Sequence, residues 1–400
     1  MRQVNSSVYG PATPGLGTVA PMRADGYLGP DRSGIDWLID PDSPTMRGLG
    51  PDLAARTPDS PVDVDALIED VALLPRLIRE RHVFVVLGRT GPEAADAVLD
   101  AWVARLRAER PTTWGEAIGD VALSLREALG DNHHGIIGNA AHRALRPTLG
   151  EDPGPAWESA VRATPSGEVA TVRIRTLSDS EDGSPQLEAG ATDRSPLEHD
   201  RVVVDLRGNG GGNDAFISRW IADAVVHAHD APSERCLSVG DKPVLAWNAI
   251  ALEAVRHPDA PPPASLLPYA HTPAPDDELR VDLHTEHVPA GARPFRGRML
   301  VLVDGGTGSS GESSTLMLRD GLGARVVGVP SMGLLESANV APYVLPRSGL
   351  TLTFPTQWVA TPEPMEFVGI RPDVELDVRA PLAEVADRFD ELWAAAEHGI

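Results

Sequence analysis

Apolar residues recur at helical spacing between Val62 and Arg81, at Val64, Leu67, Ile68, Val71, Leu74, Leu77 and Ile78. This predicts an amphipathic helix. From His82 to Leu87 the pattern changes to an unbroken apolar, β-branched run, which reads as a strand. Helical spacing returns over Pro92–Arg110 and Thr113–Leu129, and Thr113 with Glu116 fits a capping box. Residues 1–60 show little periodicity and are rich in Gly, Pro, Asp and Ser. They read as an irregular arm, either a flexible tail or a segment lying on the body.

Beyond residue 155 the periods alternate. Gly167–Leu177 reads as a strand through Val169, Ala170, Val172 and Ile174, and the acidic, turn-rich stretch Asp179–Glu198 reads as a loop. A Val202 strand then leads through a glycine turn into a helix over Ala215–Ala228. Ala251–His257 closes a helix, and a proline-rich irregular stretch runs to Pro294. Then come a strand (Met299–Val303), a helix (Ser310–Asp320), a strand (Arg325–Val329) and a strand (Leu350–Phe354). Strands alternating with helices predict an α/β layer with crossover connections. The expected organisation is an N-terminal arm (1–60), a mainly helical domain (61–155), an α/β core (156–378) and a C-terminal helix (379–400).

Two glycine-punctuated segments carry the candidate chemistry. One is Val202-Val203-Val204-Asp205-Leu206-Arg207-Gly208-Asn209-Gly210-Gly211-Gly212; the other runs from Met299 through Val303-Asp304-Gly305-Gly306-Thr307-Gly308-Ser309-Ser310-Gly311-Glu312. Each is a buried strand breaking into a tight turn before a helix, where glycines let backbone amides approach a ligand. A serine at such a junction lies near the positive end of the helix dipole. One turn can offer a nucleophile and the other oxyanion donors, the two parts of an acyl-transfer site. A phosphate cradle is excluded, because Asn213-Asp214 stands where a P-loop needs Lys-Ser/Thr.

These residues resemble the S41 serine peptidases, the tail-specific and tricorn-core proteases. Asp205–Gly212 is similar to their DLRxNxGG segment, and Thr307–Glu312 to their nucleophile segment, where the serine lies three residues before a glutamate. Gly323–Gly328 and the GxxPD-like stretch Val368–Val374 extend the resemblance over roughly residues 110–375. It implies a crotonase/Clp-protease-like spiral core, which periodicity alone does not separate from a doubly wound sheet. It also implies Ser309 as nucleophile and oxyanion donors at Ser310 and Gly211. The family's Ser-Lys branch places a lysine where this chain has Leu334, which cannot accept a proton. The tricorn-like branch uses a histidine in a D-x-H segment, here Asp131-Asn132-His133. The resemblance therefore implies His133 as general base, with Glu366 orienting it and Glu363 as the local competitor. His134 is the neighbouring alternative. A histidine base predicts activity rising between roughly pH 6 and 7.5. Asp205 and Arg207 are expected to form a structural ion pair, and Glu312 to cap its helix. Only about seventy residues separate His133 from Asp205, so no PDZ module of ordinary size is expected.

Composition narrows this picture. The net charge of −23, with no local basic patch, argues against a nucleic-acid partner. The single cysteine cannot form an intrachain disulfide. No secretory signal or membrane-length apolar run is visible, which predicts a cytoplasmic protein. Adjacent His133 and His134 lack a third ligand at recognisable spacing, and His284-Thr285-Glu286-His287 does not have the HExxH spacing, so neither metal nor cofactor is expected. The expectation is a serine hydrolase cleaving peptides through an acyl-enzyme. A repurposed hydrolase or acyltransferase acting on a small acyl substrate, and a non-catalytic scaffold on the same fold, stand as alternatives. Self-association is one of two roles open to the N-terminal arm, covering the site being the other.

Overall fold

Val202, Val203 and Val204 are all fully buried, although successive residues of a strand face opposite ways. This requires a sheet covered on both faces, as parallel sheets are. In the computed structural model the strand Arg201–Asp205 is central to a six-stranded sheet. The order across it is Val374–Glu375, Arg325–Gly328, Arg298–Val303, Arg201–Asp205, Gly167–Ile174 and Trp157–Thr164. All neighbours run parallel except the edge hairpin formed by the last two. Residues 57–136, 154–178, 183–230, 236–239, 281–284, 287–345, 347–359, 361 and 363–398 are described. Most of the N-terminal arm, the helix ending at His257 and most of the proline-rich stretch lie outside them.

The chain divides into two compact units. One comprises Met1–Ala140, Ser238–Asp282 and Asn339–Gln357, and the other Ala141–Leu237, Leu283–Ala338 and Trp358–Ile400. The second holds the six-stranded sheet. One face (Val172, Val202, Val204, Val301, Val303) packs on Phe216, Trp220, Leu316 and Leu318. Those residues come from the helices Ala215–Ile221 and Ser310–Leu322. The other face (Val169, Val203, Leu300, Leu302, Val327) packs on Val385, Phe389 and Leu392 of the C-terminal helices Leu382–Asp387 and Phe389–His398.

The first unit is mainly helical, with Val64–Val71, Leu74–Arg81, Glu93–Glu109, Trp114–Ile118 and Val121–Leu129 sharing one core, and it also carries the strand Gly135–Ile136 paired antiparallel with Leu352–Thr353. The expected capping box is present, Thr113 Oγ1 accepting from Glu116 N–H and Glu116 accepting from Thr113 N–H. The run His82–Leu87 is not a strand. Val83–Val86 forms a single helical turn, closed by Val86 N–H on His82 O and Leu87 N–H on Val83 O. β-propensity yields to tertiary context here. Residues 339–357 also belong to this unit, because Tyr343, Leu345, Leu350, Leu352 and Phe354 pack into the helical core. Buried Asp70 anchors their turn, accepting from the Ser348 N–H and hydroxyl.

Asp179–Glu198 also departs from expectation. It contains a helix, Ser184–Thr192, and a 3-10 turn, Ser195–Glu198. The helix closes on Trp157 at Gly190, where an added Cβ would lie 2.3 Å from the indole ring. The strand Trp157–Thr164 had no sequence signal, being an edge strand that exposes most of its residues and shows no alternation. Among the described residues no helix is long and apolar enough to cross a membrane.

Candidate active site

The strand Arg298–Val303 ends in a turn that delivers Ser309 to the start of the helix Ser310–Leu322. Ser309 has φ 52° and ψ −123°, a conformation an L-residue adopts only when its surroundings enforce it. The enforcing group is Glu312. Its carboxylate accepts from the Ser309 N–H (3.0 Å), the Ser331 hydroxyl (2.5 Å), the Gly333 N–H (2.9 Å) and the Leu334 N–H (2.7 Å). Burial raises the Glu312 pKa, and these four donors oppose that by favouring the anion. The expected cap at Glu312 is therefore also a clamp on the Ser309 turn. Ser309 is half-buried. The Ser310 hydroxyl, in contrast, donates to Gly212 O at 2.7 Å.

The second glycine turn packs against the first. Thr307 Oγ1 donates to Leu206 O (2.9 Å), Gly308 N–H to Asn209 O (2.9 Å) and Gly208 N–H to Asp304 Oδ1 (2.8 Å). A Cβ on Gly211 would lie 2.8 Å from Ser309 Cβ and 2.9 Å from Ser310 N, and its φ of 106° would strain any other residue independently. The structure thus brings Ser309, Ser310 and Gly211 together. Among the described residues nothing accepts from the Ser310 N–H, one of the unpaired amides at a helix start. The Gly211 N–H donates to Asn209 Oδ1 at 2.9 Å, while Asn209 Nδ2 donates to Ile174 O at 3.0 Å. Asn209 is fully buried and is the organiser of this turn, a role the sequence reading did not give it.

Asp205 and Arg207 form the expected buried pair, Arg207 Nη2 lying 2.7 Å from Asp205 Oδ2. Burial works against the Arg207 charge, but the Asp205 carboxylate outweighs it and raises its pKa. The guanidinium also donates to Val378 O and Ala380 O, so the pair secures the strand end.

The segment 331–337 lies against the nucleophile turn through Met332 N–H on Thr307 O (2.8 Å). Leu334 is buried, and its Cδ1 lies 3.0 Å from where a Gly308 Cβ would be. An apolar side chain thus packs beside the Ser309 turn. Glu366 is half-buried and fixed in the same unit, accepting from Glu336 N–H (3.1 Å), Ser337 N–H (3.2 Å) and the Ser337 hydroxyl (2.8 Å). Glu363 is exposed. Glu336, which no sequence signal marked, positions this loop by accepting from Met365 N–H (2.7 Å) and the Thr361 hydroxyl (3.0 Å).

His133 belongs to the other unit. It follows the helix Val121–Leu129, which Gly130 ends in the left-handed conformation (φ 64°). Half-buried His133 donates its N–H to Asp131 Oδ1 at 2.8 Å. His134 is fully buried, bonded through Nδ1 to Thr353 O (3.1 Å) and stacked on Phe354 with ring centroids 5.2 Å apart. Burial lowers its pKa to about 3, outweighing the opposing pull of Asp131. It is a core histidine.

The model of peptidase family S41 matches residues 168–376, more than half of the chain. The chain belongs to peptidase family S41. Membership makes it a serine-type peptidase, and the matched span contains the Asp205–Gly212 turn, the nucleophile turn and Glu366. This S41 chain is similar in fold to mature CPAF, with 13% identity and a TM-score of 0.56 over 84% of this chain and 98% of that one. A photosystem II D1 C-terminal processing protease matches at 18% identity and a TM-score of 0.36. That match covers 58% of this chain, which spans 52% of the protease. No curated protein matches.

Proposed function

We propose that this S41 peptidase cleaves peptide bonds through an acyl-enzyme on Ser309. Ser309 Oγ attacks the scissile carbonyl carbon, and His133 takes the hydroxyl proton and then passes it to the leaving amine. The carbonyl oxygen, now an anion, is held by the Ser310 N–H and by Gly211, whose N–H is shared between Asn209 Oδ1 and the new charge. Water, deprotonated by His133, then releases the acyl group. Glu366 orients and stabilises the imidazolium. A single cysteine fits a reducing compartment, and we place the enzyme in the cytoplasm.

The strained φ of Ser309, enforced by buried Glu312 and packed on Gly211, is the observation that carries this reading. Leu334 in the lysine position favours a histidine base. Ser309→Ala should lower kcat by roughly 10³-fold or more on an unstructured peptide. Ser310→Ala, which removes one hydroxyl bond to Gly212, should stay within about tenfold of the parent enzyme. A dead Ser310→Ala beside an active Ser309→Ala would shift the nucleophile by one residue.

A further inference from the structure

We propose that His82 is a positioning residue for the general base, acting through the carboxylate of Asp131. The inference rests on the reading of His133 as that base. His82 lies 49 residues upstream, at the junction between the helix Leu74–Arg81 and the turn Val83–Val86. Its backbone is extended there (φ −76°, ψ 117°), which turns the ring into the core. The ring is fully buried, edge-on to Phe84 and Phe354 with centroids 5.8 and 5.7 Å away. Its Nε2 is 3.0 Å from Asp131 Oδ2, and Asp131 is also fully buried. The other carboxylate oxygen, Oδ1, accepts the His133 N–H at 2.8 Å. One carboxylate thus joins His82 to the backbone of His133.

His82 gives the Oδ2 of Asp131 its hydrogen bond, and the charges of His133 and His134 add a smaller attraction. Arg126 donates instead to His134 O (2.6 Å) and to Asn132 Oδ1 (3.2 Å), and His134 is held by Thr353 O. Burying an ionised carboxylate carries a desolvation cost that apolar residues would not, so stability alone gives a weak reason for the pair. Geometry gives a stronger one. A carboxylate fixed at both oxygens sets the turn Asp131–His134, and a misplacement of about 1 Å in a catalytic group can cost about 10²-fold in rate. The His82 Nδ1 makes no hydrogen bond among the described residues, so the ring's polar contact is the one to Asp131.

The test compares His82→Leu, which keeps bulk without a donor, with His82→Gln, which keeps a donor at similar reach. Values of kcat and KM on a peptide are measured beside thermal unfolding and hydrogen exchange at the His133 amide. His82→Leu should lower kcat by about 10- to 100-fold with KM within about twofold. His82→Gln should recover to within about threefold of the parent. The His133 amide should exchange at least tenfold faster in His82→Leu and near the parent rate in His82→Gln. Unchanged exchange in His82→Leu would overturn the inference, as would a kcat loss in both variants that tracks a loss of Tm. His133→Ala retaining full activity would instead remove the base reading. The exchange measurement separates these two failures, since it does not depend on turnover.

Discussion

At the scale of single residues, the site is set by groups that hold others in place. Glu312 accepts four hydrogen bonds and fixes the φ of Ser309, and Asn209 spans Gly211 and Ile174. Gly211 is the position where the smallest change should matter most. A methyl group there meets Ser309 Cβ at 2.8 Å and the Ser310 nitrogen at 2.9 Å, and neither neighbour is a flexible side-chain end. Gly211→Ala should therefore displace the nucleophile turn and lower kcat by roughly 10²-fold or more, as loss of an oxyanion donor does. The fold should survive, which circular dichroism would check. Near-parental kcat in a folded Gly211→Ala enzyme would remove Gly211 from the oxyanion site. Ser309, Ser310 and Gly211 were legible as candidates because the glycine-punctuated turns mark them. Asn209 and Glu312 were visible as motif members, but Ile174 for the one and Ser331, Gly333 and Leu334 for the other lie 19 to 35 residues away, so the full clamps were not. His82 carried no signal, since its partner Asp131 lies across 49 residues.

At the scale of elements, the sheet strands and the helices flanking Ser309 were legible because their apolar periods agree with their final burial. Val202–Val204 and Met299–Val303 are buried runs in a doubly covered sheet. The misreadings have physical causes. The Val83–Val86 turn has strand-like residues in a helical core, and the edge strand Trp157–Thr164 has no buried face to pattern. The turn after the helix Val121–Leu129 has a consequence for acid stability. Burial alone would raise the Asp131 pKa, but the His82 hydrogen bond and nearby histidines bring it down to about 2, against 3.8 for the ordinary group. A depressed acid pKa stabilises the fold above pH 3.8, and that contribution is lost as the pH falls toward 2. His134 acts with the same sign over a higher window. Burial holds it unprotonated down to about pH 3, whereas the unfolded chain binds its proton near 6.5, so stability falls as pH drops between those values. The urea midpoint should therefore decline steadily from pH 6.5 to 3, and His134→Gln should flatten the upper part of that decline. An equal slope in the variant would show that His134 does not contribute it.

At the scale of the whole molecule, the groups of the proposed site come from separate parts of the chain. Ser309, Gly211, Ser310 and Glu366 belong to the unit built on the six-stranded sheet, and His133 to the helical one. The discontinuous membership of 339–357 was hidden in the sequence, because chain order places those residues inside the sheet unit while their apolar side chains pack with the helices. The net charge of −23 gives the molecule a negative long-range field. Its field should favour cationic substrates at low ionic strength, where the Debye length is about 30 Å at 0.01 M. A lysine-rich peptide should show higher kcat/KM than its glutamate counterpart in low salt, and the gap should shrink by 0.5 M. A preference unaffected by salt would place the selectivity in direct contacts instead.

The pairing of Ser309 with His133 is tested most directly by covalent labelling with a fluorophosphonate, mapped by peptide mass spectrometry and timed in the parent enzyme and in His133→Ala. The adduct should sit on Ser309, and labelling of folded His133→Ala should be slower by about 10²-fold or more, as expected when a serine loses its general base. An adduct on Ser310, or equal labelling rates with and without the His133 imidazole, would contradict the account.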